Sequence, residues 1–257
     1  MSLVKSEKEI ELMRESCRIT AGSLKYVKGF IKPGVTTHEL DRIIEDYIRV
    51  NGAYPAFKGY GASRKKKGFP ASACISVNDE VVHGIPSGRK LEEGDVVSVD
   101  VGVLKNGYYG DAAYTFGVGR ISSKKEMLMK ATKESLIKGI EKAVAGNTIN
   151  DIAIAVQSYV EGSGFSVVRD LVGHGIGKNL HEEPAVPNFY STANNFRLSA
   201  GMTLAIEPMV NYGGFEVETL EDGWTIVTAD GEPSAHFEHT ILITNGKPEI
   251  LTAQDNW

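Results

Sequence analysis

The 257-residue sequence predicts an α+β fold, in which helices pack against one antiparallel β-sheet. Helical stretches with a capping signal and one apolar face alternate with Val-rich stretches of strand character. An Asn-Gly pair joins two of those strands as a hairpin. A ten-residue pattern occurs twice, which indicates two halves built alike. Because no Pro-rich linker or low-complexity tract divides residues 1–257, we expect a single domain.

Four helices are predicted from capping signals and from apolar residues at three- and four-residue steps. Ser6 and Glu9 form the capping box of the first helix, which Pro33-Gly34 ends. Ser123 and Glu126 form another capping box, at the start of the third helix. The other predicted boundaries are Thr37–Val50 for the second helix, Gly146 for the end of the third and about Asn150–Glu161 for the fourth.

The strands lie between and after the helices, in stretches rich in β-branched and aromatic residues. The predicted strands are Ala73–Val77, Val96–Leu104, Tyr108–Val118, Ser166–Val168, Thr203–Val210, Thr225–Thr228 and His236–Thr244.

One hairpin carries two acidic side chains. Asn106-Gly107 favours a two-residue turn, since both central positions of a type I′ turn need a positive φ. That turn pairs Asp100 with Ala113 and places Asp111 on the same face as Asp100. Two ionised carboxylates in an apolar hairpin need a compensating charge, which a divalent cation would supply. The alternative is the solvated face of a surface hairpin.

The repeated pattern links two further regions of the chain. Leu91–Asp100 and Leu198–Glu207 both place Leu three positions before Gly and an acid six positions after that Gly. A fainter similarity relates Pro33–Thr36 to Gly146–Thr148. An internal duplication would bring one acid from each half to a shared centre, whereas chance similarity of two short strands is the alternative.

Composition limits the class of function. The net charge of −5 argues against a general nucleic-acid binder, and we expect no specific DNA binding. Two cysteines are too few for a disulfide framework or a Cys-based zinc site. The sequence has no apolar run that could cross a membrane and no signal-peptide pattern. We therefore expect a cytoplasmic protein, without membrane contact, and a monomer.

Histidines and isolated acids mark a candidate site. A lone histidine is more often a satisfied polar residue than a ligand, but His83, His174 and His181 all lie in Gly- or Pro-punctuated loops. Glu207 and Glu238 are single charges within apolar strands, where a carboxylate is costly unless it is paired or metal-bound. Four carboxylates and one imidazole would form an oxygen-rich site with room for two divalent ions such as Mn, Fe or Co.

At these residues the sequence resembles the type I methionine aminopeptidases, within the creatinase, prolidase and aminopeptidase superfamily. The matching segments are Asp100 with Gly110-Asp111, Gly173–Gly177, Ile206–Pro208 and Glu238–Thr240. The resemblance covers nearly the whole chain and implies a bacterial-type enzyme. It also implies a pita-bread fold, with pseudo-two-fold halves whose helices pack on a curved antiparallel sheet.

The resemblance further implies a role for each candidate residue. The metal ligands would be Asp100, Asp111, His174, Glu207 and Glu238, holding two divalent ions (Co, Mn or Fe(II)). The catalytic residues would be Glu207, which moves a proton, with His83 and His181, which flank the substrate. The methionine pocket would include Phe69, Cys74, Leu180 and Trp224, and Leu180 stands where many relatives carry phenylalanine.

The expected activity is removal of the N-terminal methionine from nascent proteins and peptides with a small second residue. A Xaa-Pro aminopeptidase or prolidase would share the ligands but usually adds an N-terminal domain, for which we expect this length to leave no room. A metal-free peptide-binding module is a second alternative. The basic loop Arg64–Lys67 is either a solvated surface or a contact with ribosomal RNA through its phosphates.

Overall fold

The structure is a computed structural model that describes residues 3–63, 67–192 and 195–253. Within those ranges the helices are α1 (Glu7–Lys28), α2 (Thr37–Val50), α3 (Ser123–Lys142) and α4 (Ile149–Gly162). The strands are β1 (Tyr54–Pro55), β2 (Cys74–Val77), β3 (Glu80–Val82), β4 (Val96–Lys105), β5 (Tyr108–Gly117), β6 (Ser166–Val167), β7 (Gly173–Gly175), β8 (Glu182–Val186), β9 (Thr203–Ile206), β10 (Met209–Asn211), β11 (Val217–Thr219), β12 (Ile226–Thr228), β13 (Ser234–His236), β14 (His239–Leu242) and β15 (Glu249–Ile250). All pairings between these strands are antiparallel, so the α+β prediction is confirmed.

Each half of the chain has its own apolar core. In the first half α1 packs on the β4–β5 hairpin, and α2 packs against α1, β1 and β2. Leu24, Leu40 and Val99 are fully buried in this core. In the second half α3 packs against α4 and β9, and α4 also contacts β6. Ile152 and Ile206 are fully buried in this core. Burying such side chains contributes about 1.5–3 kcal/mol each, so each helix pair is fixed to its own strands. The candidate site therefore lies on a rigid frame.

The two halves repeat the same backbone hydrogen bonds. The Gly34 N–H donates to Leu91 O at 2.7 Å, and the Gly146 N–H donates to Leu198 O at 3.0 Å. The Leu91 N–H in turn donates to Val35 O, and the Leu198 N–H donates to Asn147 O, both at 2.8 Å. Each leucine is followed three residues later by a glycine with a positive φ, of 93° and 90°. The predicted duplication into pseudo-two-fold halves is confirmed.

The helix boundaries agree with prediction except at the end of α1 and around α3. Helix α1 ends at Lys28, with Gly29 as its C-cap, rather than at Pro33-Gly34. The cap of α3 is Ser122, one residue before the predicted Ser123, and its hydroxyl accepts from the Lys125 N–H. Adjacent serines offer the same hydroxyl, so the sequence could not place the cap to a single residue. The helix ends at Lys142 rather than Gly146, because the chain leaves it to pair with Thr244.

Two of the predicted strands are interrupted. The stretch Thr203–Val210 is divided into β9 and β10 at Glu207-Pro208, and His236–Thr244 is divided into β13 and β14 at Phe237-Glu238. Before the breaks and after them the chain lies in different sheets, since β9 pairs with β14 whereas β10 pairs with β13. Proline lacks the N–H that a continued ladder needs, which explains the first break. Both breaks fall at a predicted ligand.

The strands form four sheets rather than one continuous sheet. A four-stranded sheet contains β1, β2, β4 and β5, and a five-stranded sheet contains β7, β8, β9, β14 and β15. Two three-stranded sheets, β6-β10-β13 and β3-β12-β11, complete the described strands. The sheets divide where strands change partner at Glu207 and Glu238. The helices therefore pack on two hairpin-rich halves instead of one flat layer.

None of the described helices is long and apolar enough to cross a membrane. In the basic loop predicted to be solvated or to contact RNA, residues 64–66 lie outside the described residues. That prediction remains open.

Candidate active site

A cavity of about 280 Å³ contains every residue that the sequence marked for chemistry or substrate binding. Five are the predicted ligands and six are the predicted substrate contacts. Two aromatic residues, Phe57 and Tyr60, complete the lining and were missed, because no motif or spacing marks them. The lining residues are Phe57, Tyr60, Phe69, Cys74, His83, Asp100, Asp111, His174, Leu180, His181, Glu207, Trp224 and Glu238.

Two buried carboxylates come from the β4–β5 hairpin. Asp100 pairs with Ala113, and Asp111 pairs with Gly102, as the two-residue turn predicts. The turn residue Asn106 has φ of 52°, in the left-handed region that a type I′ turn requires. Both side chains therefore lie on one face of the hairpin and point into the cavity.

The second half supplies a carboxylate beside this hairpin. The Glu238 N–H donates to Ala113 O at 2.9 Å, so the break between β13 and β14 lies along β5. The Thr240 hydroxyl donates to Asp111 O at 2.7 Å and accepts from the Asp111 N–H at 3.0 Å. These bonds hold Asp111 and Glu238 together from opposite halves of the chain.

The imidazole of His174 lies between the acids of the two halves. His174 is in β7 and pairs with Ala205, so Glu207, two residues later, follows on the same face. The His174 Nδ1–H donates to Gly175 O at 2.9 Å, which leaves Nε2 without its hydrogen. Nε2 lies 3.9 Å from Asp111 Oδ2 and 3.6 Å from Glu207 Oε1. It therefore presents a lone pair toward the carboxylates.

Burial controls the ionisation of the carboxyl groups. Desolvation raises the pKa of Asp111 to about 7. The pKa values of Asp100, Glu207 and Glu238 are raised well above their usual range, first by burial and then by the negative charge of the neighbouring acids. Desolvation lowers the pKa of His174 to about 3, so this imidazole is neutral. A cluster of like charges in a low-dielectric site calls for a cation.

The donor set fits divalent metal ions. Ligand atoms of Asp111, His174 and Glu238 lie within 4.8 Å of one another. One carboxylate oxygen each of Asp100, Asp111 and Glu238 is buried and has no hydrogen-bond partner among the described residues. An unpaired buried carboxylate oxygen is costly, whereas a cation satisfies it directly. Oxygen ligands with one imidazole suit hard or borderline ions.

Three polar groups lie beside these ligands. The Tyr60 hydroxyl is hydrogen-bonded to His181 Nδ1 at 2.6 Å. The ring centroids of His181 and His174 are 4.2 Å apart. His83 has φ of 58°, in the left-handed region, which turns the chain at the end of β3. Desolvation lowers the pKa of His83 to about 4. These neutral imidazoles can donate or accept hydrogen bonds without adding charge.

His236 is a site residue whose role the sequence did not reveal. Alternation in a continuous strand places it on the face of Glu238, but the chain breaks between the two residues. His236 Nε2 lies 3.7 Å from Glu207 Oε2, and neither ring nitrogen has a hydrogen-bond partner among the described residues. The only available signal was its place beside an acid in an apolar stretch.

The other end of the cavity is apolar. Phe69 and Trp224 meet edge to face with ring centroids 5.4 Å apart. Cys74 and Leu180 are buried beside them, and Phe57 belongs to the same cluster. The cavity therefore has a carboxylate-rich end and an apolar end.

Comparisons with known proteins agree with this geometry. The profile of metallopeptidase family M24 matches residues 11–245. A methionine aminopeptidase of Clostridium perfringens is 54% identical, covering 98% of this chain and 99% of the relative. The crystal structure of a methionine aminopeptidase from Thermotoga maritima has a TM-score of 0.93 at 44% identity, covering 98% and 99% of the two chains.

A more distant structure shares the architecture. The prolidase from Pyrococcus horikoshii has a TM-score of 0.79 at 25% identity, covering 98% of this chain and 64% of the prolidase. These matches confirm the pita-bread fold. On the profile match and the full-length similarity, the chain belongs to metallopeptidase family M24.

Proposed function

We propose that this protein is a bacterial-type methionine aminopeptidase. It removes the N-terminal methionine from nascent proteins and peptides whose second residue is small. The observation that carries the proposal is the cavity, in which five ligand-type side chains at one end face a pocket of apolar side chains at the other. The relative at 54% identity, a methionine aminopeptidase, supports the same function.

The family implies divalent metal ions, and we propose two of them. Asp100, Asp111, His174, Glu207 and Glu238 would hold the ions, of Co, Mn or Fe(II) type. When bound, the ions supply a Lewis acid for the peptide carbonyl and a more acidic water as nucleophile. The five side chains provide the negative charge and the neutral imidazole that such ions require.

Glu207 moves the proton in this proposal. It lies between the imidazoles of His174 and His236, at 3.6 and 3.7 Å. Burial and the charge of Asp111 raise the pKa of Glu207 well above the usual range in the metal-free protein. In its ionised form this carboxylate can accept a proton from the nucleophilic water. The proton is then available for the leaving amine.

His83 and His181 contact the substrate main chain in this proposal. Both line the cavity next to the carboxylates, and Tyr60 fixes the orientation of the His181 ring. A neutral imidazole N–H aimed at the scissile carbonyl stabilises the charge that develops on its oxygen. Positioning by two such groups also reduces the entropy cost of reaching the transition state.

The apolar end selects the first residue. Phe69, Cys74, Leu180 and Trp224 offer no charged partner at this end, so a charged side chain would be desolvated there without compensation. An unbranched apolar side chain such as that of methionine fills it. The free amine of the substrate is a cation, and the carboxylates at the other end attract it, which restricts cleavage to the first residue.

A Xaa-Pro aminopeptidase or prolidase activity is the alternative for this fold. The prolidase match covers only 64% of the prolidase, whereas the methionine aminopeptidase matches span nearly their full length. Hydrolysis of Met-Ala-Ser and of Xaa-Pro peptides by the metal-loaded protein separates the two. Release of methionine with no hydrolysis before proline supports the proposal, and the reverse preference contradicts it.

A metal-free peptide-binding module is the second alternative. Such a module needs no carboxylate cluster, whereas all five ligand-type residues are present. Equilibrium dialysis with Mn or Co tests this alternative directly, because a binding module would take up no metal. We also propose that the protein acts in the cytoplasm, where nascent chains emerge.

A further inference from the structure

A buried ion pair joins the N-terminal segment to the edge of the cavity. Lys5 Nζ lies 2.8 Å from Glu182 Oε2, and the two side chains are only 5% and 8% exposed. In every other Lys or Arg ion pair among the described residues, at least one side chain is 40% exposed or more. The Lys5–Glu182 pair is therefore unlike the surface pairs, which contribute little.

The pair closes the loop of residues 176–181, which carries Leu180 and His181. Glu182 follows His181 directly and begins β8. Its second carboxylate oxygen accepts from the Asn179 N–H at 3.0 Å, within the loop. On the other side, the Lys5 N–H donates to Gly201 O at 2.8 Å, which anchors the lysine to the second half of the chain. The Glu182 carboxylate therefore links the loop, through Asn179, to Lys5, and the Lys5 backbone is fixed to Gly201.

The loop passes directly over the pair. A Cβ at Gly177 would lie 2.5 Å from Lys5 Cε and 3.0 Å from the Glu182 carboxylate oxygens. The Gly177 carbonyl accepts from the Tyr109 N–H at 2.9 Å, which ties the same point to β5. Glycine at this position lets the loop approach the ion pair, so any shift of the lysine would move the loop.

Burial makes stability a poor explanation for this pair. The desolvation of two charges offsets much of their attraction, and apolar residues of similar volume often stabilise a protein as well. An ion pair with a backbone hydrogen bond instead fixes one arrangement of its groups. The pair therefore supplies a defined position for the loop rather than net stability.

We infer that Lys5 and Glu182 are positioning residues that set the ring of His181 in the cavity. This inference rests on the substrate role proposed for His181. Neither Lys5 nor Glu182 lines the cavity, so both act through the loop. His174 is held separately, by its own hydrogen bond to Gly175 O and by strands on both sides, so the pair acts on the substrate and not on the metal.

The kinetic test uses Met-Ala-Ser and the metal-loaded full chain. We expect Lys5→Met to lower kcat/KM by about 10²-fold, the loss that a misplaced catalytic group produces. Lys5→Arg should restore most of the activity, since it keeps the charge. In a His181→Ala background the loss caused by Lys5→Met should nearly vanish, because the two changes act through one group. A full additional loss in that background would overturn the inference.

Two further variants separate positioning from folding and from metal binding. Lys5→Met/Glu182→Gln leaves no charge buried alone, so it should fold and still show the low kcat/KM. Arg14→Met breaks the more exposed pair with Glu249 and should leave kcat/KM nearly unchanged. Metal affinity should be unchanged in all these variants. A drop in metal affinity that matches the drop in kcat/KM would overturn the inference.

Amide hydrogen exchange tests the effect of the Lys5–Glu182 pair on the loop without an activity measurement. In Lys5→Met, amides of residues 177–182 should exchange about 10-fold faster or more, while those of β4 and β5 keep their rates. Unchanged exchange in the loop would contradict the inference whatever the kinetics show. If the wild type releases no methionine with any metal, the proposed function is wrong. The exchange rates of residues 177–182 then still test whether the Lys5–Glu182 pair positions the loop.

Discussion

Asp100 and Asp111 are diagonal neighbours on one face of the β4–β5 hairpin, because Asp100 pairs with Ala113 and Asp111 with Gly102. The relationship is set by the two-residue turn that connects the strands. Side chains alternate between faces along a strand, so a change of one position in the register would turn one acid away from the other. The geometry of the proposed metal site therefore depends on a turn at the far end of the hairpin.

Insertion of one glycine between Asn106 and Gly107 tests this dependence. A shift of the pairing by one residue would turn Asp111 to the opposite face, so we expect metal-dependent activity to be lost. Amide exchange or a crystal structure of the variant would report the register. If the extra residue is absorbed as a bulge near the turn, the outer pairing and the activity should both persist.

A matched insertion provides the control. One glycine added between Gly162 and Ser163, in an exposed stretch after α4, leaves the hairpin untouched and should leave activity intact. Full activity with two bound metals in a variant whose hairpin register has shifted would show that the proposed metal site does not need Asp100 and Asp111 on one face.

Replacement of the two neighbouring histidines should separate metal binding from catalysis. His174→Ala removes an imidazole that faces the carboxylates, so metal affinity should fall by about 100-fold or more. His181→Ala should keep metal affinity and lower kcat and kcat/KM together by about 100-fold, since it removes the group proposed to act in the transition state. Metal titration of both variants decides the division of roles, which equal losses of affinity would refute.

Metal affinity should fall as the pH falls below about 7. The pKa of Asp111 is raised to about 7, so in the metal-free protein this carboxyl is protonated at lower pH and must lose its proton to bind metal. The pKa of His174 is lowered to about 3, so this imidazole does not compete. Calorimetric titration in buffers of different ionisation enthalpy should detect protons released on binding at pH 6. Affinity that is constant from pH 5.5 to 8 would contradict this linkage.

The same shift affects the metal-free fold. Between the ordinary pKa of 3.8 and about 7, the folded protein holds a proton on Asp111 that the unfolded chain has lost. The contribution of this carboxyl to the free energy of unfolding therefore decreases as pH rises through that range. Asp111→Asn removes this dependence. The Tm of the variant minus the Tm of the metal-free wild type should therefore become more positive as the pH rises.

Packing between α3 and α4 can be tested with two glycines. A Cβ at Gly139 would lie 2.7 Å from Val156 Cγ2, and a valine in a helix has little rotamer freedom to move aside. We expect Gly139→Ala to lower the free energy of unfolding by about 1 kcal/mol, since overpacking exceeds the gain in helix propensity. Gly162→Ala, at an open position, should raise it by about 0.5 kcal/mol. Urea unfolding measures both changes, and a stabilised Gly139→Ala would show that the helices can move apart.

Local rules sufficed for the hairpin and for the duplication. The Asn106-Gly107 turn fixes its register through backbone angles alone, and the pairing of Asp100 with Ala113 follows by counting. The two leucine-to-acid segments resemble each other in sequence, and both place a glycine with positive φ three residues after the leucine. The turn and each leucine-to-acid segment are patterns of a few neighbouring residues.

Pro208 is a local signal for the break at Glu207, whereas the break at Glu238 could not be predicted from local patterns. Both stretches are apolar and β-branched, as continuous strands are, and each break arises because the chain changes sheet. Strand β7, which carries His174, also looked like a loop because its flanking residues are glycines. These features come from pairing with strands distant in sequence, which propensity does not report.

The central claim is metal-dependent removal of N-terminal methionine. Its most direct test is the release of methionine from Met-Ala-Ser before and after exhaustive chelation, followed by addition of Co, Mn or Fe(II). We predict that chelation abolishes the release, that one of these ions restores it, and that peptides beginning with Leu or Arg are poor substrates. Undiminished activity after chelation, or a clear preference for Leu or Arg over Met, would contradict the claim.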